Sequence, residues 1–180
     1  MYQFLNVHPQ GKLVGDCVKR AITKAAGMDY HEVQLELNRH KKITGAKTFN
    51  EDKNWKSYVA NVLEGKWISF PAHKGLARMN GERSCKAFPK GNYILSMAGH
   101  LSCCIDGVIY DTWDPSSRCV YGCYEIKPQI KRYYIVKKVP KEDLYIINVF
   151  EGDDIKTFDA TKDEIKGMKR SLDLMHFERK

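Results

Sequence analysis

The sequence predicts an α+β fold, with helices in the first part of the chain and antiparallel strands in the rest. Three observations carry this. Apolar residues recur at helical spacing between residues 15 and 65, and from Asn92 onward they fall in short strand-like runs. Asp106-Gly107 then sits between two such runs, the strongest short hairpin signal a sequence offers.

Gly15 to Gly27 reads as the first helix: Val18, Ala21, Ile22 and Ala25 fall at i, i+3, i+4 and i+7, and Gly27 stops it. Asp29 followed by Glu32 resembles a capping box for a second helix through about Arg39. Trp55, Tyr58, Val59, Val62 and Leu63 make the apolar face of a third, ended by Gly65. Tyr93–Met97 is a short apolar strand. His100–Ile105 and Val108–Trp113 are the arms of the hairpin, and Arg118–Ile126 and Lys131–Val139 are two further strands. After the Pro140-Lys141-Glu142 break, Leu144–Phe150 and Ile155–Phe158 form another hairpin. Thr161-Lys162-Asp163-Glu164 opens a C-terminal helix. The expected organisation is a core over residues 1–139 with a small extension over 140–180.

A chain of 180 residues suits one domain with such an appendage, and 43% hydrophobic residues suffice for a core. No apolar run approaches the roughly 18 residues a membrane span needs, and the start, Met1 to Asn6, lacks the features of a signal peptide. A cytoplasmic protein with no membrane partner is the expectation. Lys and Arg outnumber Asp and Glu by 30 to 22, but the basic residues occur as scattered pairs such as Lys41-Lys42 and Lys137-Lys138. That reads as a solvated basic surface, so a nucleic-acid partner is not favoured. With no export signal, the six cysteines are expected as free thiols. Cys119 and Cys123 with His100 lack the paired spacing of a zinc knuckle, so neither metal nor cofactor is expected.

Cys17 stands near a helix start directly after Gly15-Asp16. A helix N-terminus lowers a thiol pKa, and its free N–H groups can hold an oxyanion when a carbonyl is attacked. His100 opens the hairpin after Ala98-Gly99. With a two-residue Asp106-Gly107 turn, Cys104 faces Ile109, Cys103 faces Tyr110, Ser102 faces Asp111 and His100 faces Trp113. His100, Ser102, Asp111 and Trp113 therefore share a face, and Asp111 is the diagonal neighbour able to orient the imidazole. Asp114 is the alternative carboxylate, on the other face if the strand continues so far. His8, His31, His40 and His176 read as surface residues, and His73 as a loop residue.

This order, a helix-borne cysteine followed much later by a histidine on one strand and a carboxylate or amide on the next, resembles the papain-like cysteine peptidase clan. Asp16-Cys17 is similar to the opening of the peptidase domains of bacteriocin-exporting transporters. Ile109-Tyr110-Asp111-Thr112-Trp113 resembles the papain segment in which the orienting Asn precedes Ser-Trp, with Asp in place of Asn. Gly15 to Ile22 together with Gly99-His100-Leu101 and the 106–114 segment further resembles small bacteriophage proteins. The likeness covers about residues 5–126.

The resemblance implies a papain-like fold in which Cys17 attacks, His100 is the base and Asp111 orients it. It implies an oxyanion donor before the nucleophile, for which Gln10 stands one residue further away than in papain, with Asn6 as the substitute. It also implies that Trp113 walls the cleft over His100 and Asp111. The expected function is hydrolysis of an amide or thioester in a protein or peptide substrate, in the host cytoplasm if the chain is phage-encoded. Peptidase, isopeptidase, acyltransferase and cell-wall amidase share this chemistry and are not separated by these residues. The alternative is a catalytically idle scaffold binding nucleic acid or an acidic protein.

Overall fold

A computed structural model describes residues 1–129, 132–138, 144–151 and 154–163. It is mixed α+β and divides into two compact units, Met1–Gln129 and Ile130–Lys180.

In the first unit, α1 (Cys17–Ala26) is closed by Gly27, and α2 (Tyr30–Thr44) begins at Asp29. The Asp29 carboxylate accepts from the His31 and Glu32 N–H groups, as a capping residue should. The helix α3 (Asp52–Asn61) buries Trp55, Tyr58 and Val59, while Val62 stays exposed just beyond its end. A further short helix, α4 (Gly81–Ala87), was not expected from the sequence; seven residues carry too few turns to show a helical period.

The strands of this unit are β1 (Tyr2–Phe4), β2 (Lys66–Ser69), β3 (Asn92–Met97), β4 (His100–Ile105), β5 (Val108–Asp111) and β6 (Val120–Ile126). They form one sheet in the order β1-β5-β4-β3-β6-β2, antiparallel except for the β1–β5 pair. The edge strands β1 and β2 also escape sequence reading. They are three and four residues long, and their alternation is too brief to distinguish from loop.

The sheet is covered on both faces. Val18, Ile22, Val33, Leu37, Trp55, Tyr58 and Val59 from α1–α3 pack on Ile94, Leu101, Cys103 and Tyr124. The opposite face carries Tyr93, Leu95, Met97, Cys104, Ile109 and Val120, with Cys85 of α4. Central β3 is therefore buried on both sides, which is why its sequence is mostly apolar from Tyr93 to Met97, with Ser96 the exception. Cys85 and Cys104 are joined in a disulfide, against the expectation of six free thiols. Their Cα atoms are 6.2 Å apart, within bonding range, because α4 packs against β5, the strand beside β4.

The second unit contains β7 (Arg132–Lys138), β8 (Leu144–Glu151) and β9 (Asp154–Thr161), an antiparallel meander in that order. The unit boundary thus falls after Gln129, not after residue 139. The strand assigned to the core, β7, pairs with β8 in the second unit. Thr161 ends β9, and the helix expected from there on lies largely outside the described residues. No described helix is long and apolar enough to cross a membrane.

Candidate active site

The hairpin register is the one the turn dictates: Cys103 pairs with Tyr110, Cys104 with Ile109 and Ile105 with Val108. Asp106 and Gly107 both adopt positive φ (47° and 78°), as a two-residue turn between twisted strands requires. At the other end of β4, Gly99 (φ 64°) turns the chain from β3 directly into His100.

These constraints bring the three expected side chains together. His100 Nε2 is 2.7 Å from Asp111 Oδ2. The Asp111 contact uses Nε2 and leaves Nδ1 for a second partner, and the Cys17 thiol interacts with this same imidazole. The Leu101 backbone also hydrogen-bonds the sulfur. Asp111 is held in turn by the Thr112 N–H, 2.7 Å from Oδ1, and by Ser102. Trp113 lies over the imidazole with ring centroids 5.0 Å apart, and the Arg118 guanidinium covers the indole from beyond.

Burial alone would raise the Cys17 thiol. The His100 hydrogen bond, the Leu101 N–H and the positive charges of His100 and Arg20 outweigh it and hold the thiol below its ordinary range. Burial would likewise lower His100, but hydrogen bonds and charge from Asp111 and Cys17 push it up to about 9. Asp111 would rise on burial and is instead brought below the usual carboxylate range, chiefly by His100 and Ser102. All three shifts favour the charged forms: thiolate at Cys17, imidazolium at His100 and carboxylate at Asp111.

Asp16 sits in the N-cap position yet makes no side-chain cap bond. Its carboxylate goes to Arg20 and to the Tyr30 hydroxyl, 2.5 Å away. The first-turn N–H groups around Cys17 therefore get no partner from the usual capping side chain. Arg20 also donates to the Val14 carbonyl and brings its second amino group within 4.0 Å of Asp111. Sequence reading missed Arg20 and Tyr30: an Arg four residues after an Asp on a helix is an ordinary surface pair, and nothing local marks it as buried.

The expected oxyanion donor is not at the site. Gln10 is an exposed turn residue whose N–H bonds the His8 ring, and it does not line the cleft at Cys17. Asn6 spends its amide on the Gly11 and Lys12 carbonyls and its oxygen on the His8 N–H. The loop of residues 6–12 thus closes on itself. The side-chain amide that borders the cleft beside Cys17 belongs to Asn50, whose Nδ2 donates to the Gly15 carbonyl at 3.2 Å. Asp114 is also away from His100. It is exposed, and its carboxylate turns the chain by accepting from the Ser116 N–H and hydroxyl. His40 is buried rather than on the surface, bonded to Ser57.

A cleft of about 620 Å³ leads away from Cys17 and His100 between the starts of α1 and α3 and the ends of β3, β6 and β2. Its far end is aromatic. A bulge between β3 and β6 pairs Ser96 with Gly122 but Met97 with Val120, so Tyr121 is left over and borders the cleft. Beside it Trp67 lies on the backbone of Gly122, where an added Cβ would come within 2.4 Å of the indole. Trp67 is 41% exposed and Tyr121 47%. Among the described residues, no cluster of three His, Cys, Asp or Glu side chains is arranged to hold a metal ion.

No protein-family model, curated protein or solved structure matches the chain.

Proposed function

We propose that residues Met1–Gln129 form a papain-like cysteine hydrolase that cleaves an amide or thioester bond in a protein or peptide. The observation that carries the reading is the Cys17–His100–Asp111 row, with the thiol at a helix start and the imidazole interacting with both Cys17 and Asp111. The resemblance of the sequence to the papain-like clan supports it: a helix-borne cysteine comes first, then a histidine and a carboxylate on successive strands.

In this mechanism the Cys17 thiolate attacks the scissile carbonyl carbon. Negative charge develops on the carbonyl oxygen and is met by the Cys17 N–H at the positive end of α1, with Asn50 as the adjacent amide donor. The tetrahedral intermediate collapses as the His100 imidazolium gives its Nδ1 proton to the leaving nitrogen or sulfur, leaving an acyl-enzyme. Neutral His100 then takes a proton from water, which attacks the thioester and releases the acid and the thiol. Asp111 keeps the ring oriented and stabilises its charged form throughout.

The open surface at the far end of the cleft is aromatic, and the acid that borders it is already paired: Asp52 is bonded to Trp55 and Lys56. That favours a substrate with a large apolar side chain some residues away from the cleaved bond, seated on Trp67 and Tyr121. The likeness to bacteriophage proteins extends the proposal to a host intracellular protein as the target.

The test is site-resolved alkylation by iodoacetamide. Cys17 should react first, most strongly relative to the other thiols below pH 8, and His100→Ala should abolish the preference. Uniform slow reaction of all accessible thiols would point instead to an idle scaffold.

A further inference from the structure

We infer that Arg20 is a positioning residue that links the start of the nucleophile helix to the acid of the triad, so that Cys17 and His100 are held as a pair from both ends. The inference rests on the cysteine-hydrolase reading and assigns that site a second layer.

Three observations carry it. The first is the path of contacts. Tyr30 binds Asp16, Asp16 binds Arg20, and Arg20 reaches within 4.0 Å of Asp111, which binds His100 and through it Cys17. Because Asp16 precedes Cys17 in the chain, this path returns to the residue it started beside. Successive charges alternate in sign from Asp16 to the Cys17 thiolate, so each is flanked by its opposite.

The second is what Asp16 gives up. An aspartate in an N-cap position ordinarily accepts from the N–H groups of the first turn, and here it makes no such bond. Its carboxylate is 1% exposed at the residue level and turned wholly to Arg20 and Tyr30. An i,i+4 pair serving only to staple α1 would work as well at the surface, with the cap retained.

The third is the guanidinium itself. The Arg20 side chain is 11% exposed and its Nε is buried without a hydrogen-bond partner. Its two terminal amino groups face different acids, Asp16 just before α1 and Asp111 on β5. A planar fork can hold two carboxylates at a set separation, which a lysine ammonium cannot do.

The experiment measures the rate of Cys17 carbamidomethylation against pH for the full chain and for Arg20→Met, Arg20→Lys and His100→Ala, with thermal unfolding of each. For Arg20→Met the expected result is a rise in the midpoint of the rate profile. The rate should fall about tenfold at pH 6 and change little at pH 10, where any thiol is ionised. Arg20→Lys should move the midpoint the same way by less, and it supplies the readout if Arg20→Met does not fold. A lower unfolding temperature with an unmoved midpoint would overturn the inference, since a helix staple alone gives that pattern. If wild-type Cys17 shows no His100-dependent preference, it is the hydrolase reading that fails; a normal wild-type profile with unmoved Arg20 variants fails only the role of Arg20.

Discussion

His100 Nε2 lies 2.7 Å from Asp111 Oδ2, eleven residues away across a two-residue turn. The pair is diagonal in the hairpin, and the strand ladder stops at Cys103 and Tyr110 just below it. The carboxylate therefore approaches the ring from beyond the last paired residues, and Nδ1 is left for a second partner. Several consequences can be measured.

The pH window follows from the two shifted groups. The thiolate needs a pH above the lowered Cys17 pKa, and protonation of the leaving group needs one below the His100 value of about 9. Amide hydrolysis is expected to rise from acid pH, hold a plateau and fall again above about 9. Iodoacetamide alkylation, which needs no proton donor, should show the acid limb alone. An alkylation midpoint at the ordinary thiol value of about 8.5 would contradict the pairing.

Asp111 and Asp114 are separated by function. Asp111→Ala should lower kcat/KM by roughly a hundredfold or more, because the imidazole loses both its orientation and its counter-charge. Asp111→Asn keeps a polar partner for the ring and should retain more activity. It should also bring the alkaline limb below about 9, since the Asp111 carboxylate is among the groups that raise His100. Asp114→Ala should leave both the rate and the profile unchanged, because that carboxylate serves the turn at Ser116.

Trp67 tests the aromatic end of the cleft. Trp67→Ala should leave iodoacetamide alkylation of Cys17 unaltered. It should cut the preference for peptides with Phe or Leu over Ala at the position seated on Trp67 by about tenfold, the worth of one good aromatic contact. Equal loss for all peptides would count against a specificity role.

The disulfide has a direct chemical readout. Unfolded without reductant, the oxidised chain should show four titratable thiols, at Cys17, Cys103, Cys119 and Cys123, and a peptide joining Cys85 to Cys104. Closing a loop with sequence separation 19 is worth about 3 kcal/mol in the chain-entropy picture, so reduction should lower the denaturant midpoint. Six titratable thiols would show the bond is not formed.

The parts of the fold legible in sequence share one property: each is declared by residues close together in the chain. Val18, Ala21, Ile22 and Ala25 announce α1 by spacing, Asp29 announces the start of α2, and Asp106-Gly107 sets the register that places Asp111 beside His100. What failed to show was short, or decided by a distant neighbour. Strand β1 exists because β5 offers it an edge, and Cys85 bonds Cys104 because α4 packs against β5, next to β4. Gln10 satisfied a spacing rule, but its loop closes on Asn6 and His8 instead of reaching the cleft.

By itself, then, the sequence determined the α+β class and the three side chains of the candidate triad, because helical period, strand alternation and a tight turn act over a few residues. Only the tertiary structure decided which groups surround them: Asn50 in place of Gln10, Arg20 between two acids, Trp67 and Tyr121 at the end of the cleft. Those contacts join residues far apart in the chain, and a buried charge or an exposed aromatic is defined by what packs against it rather than by its neighbours in sequence.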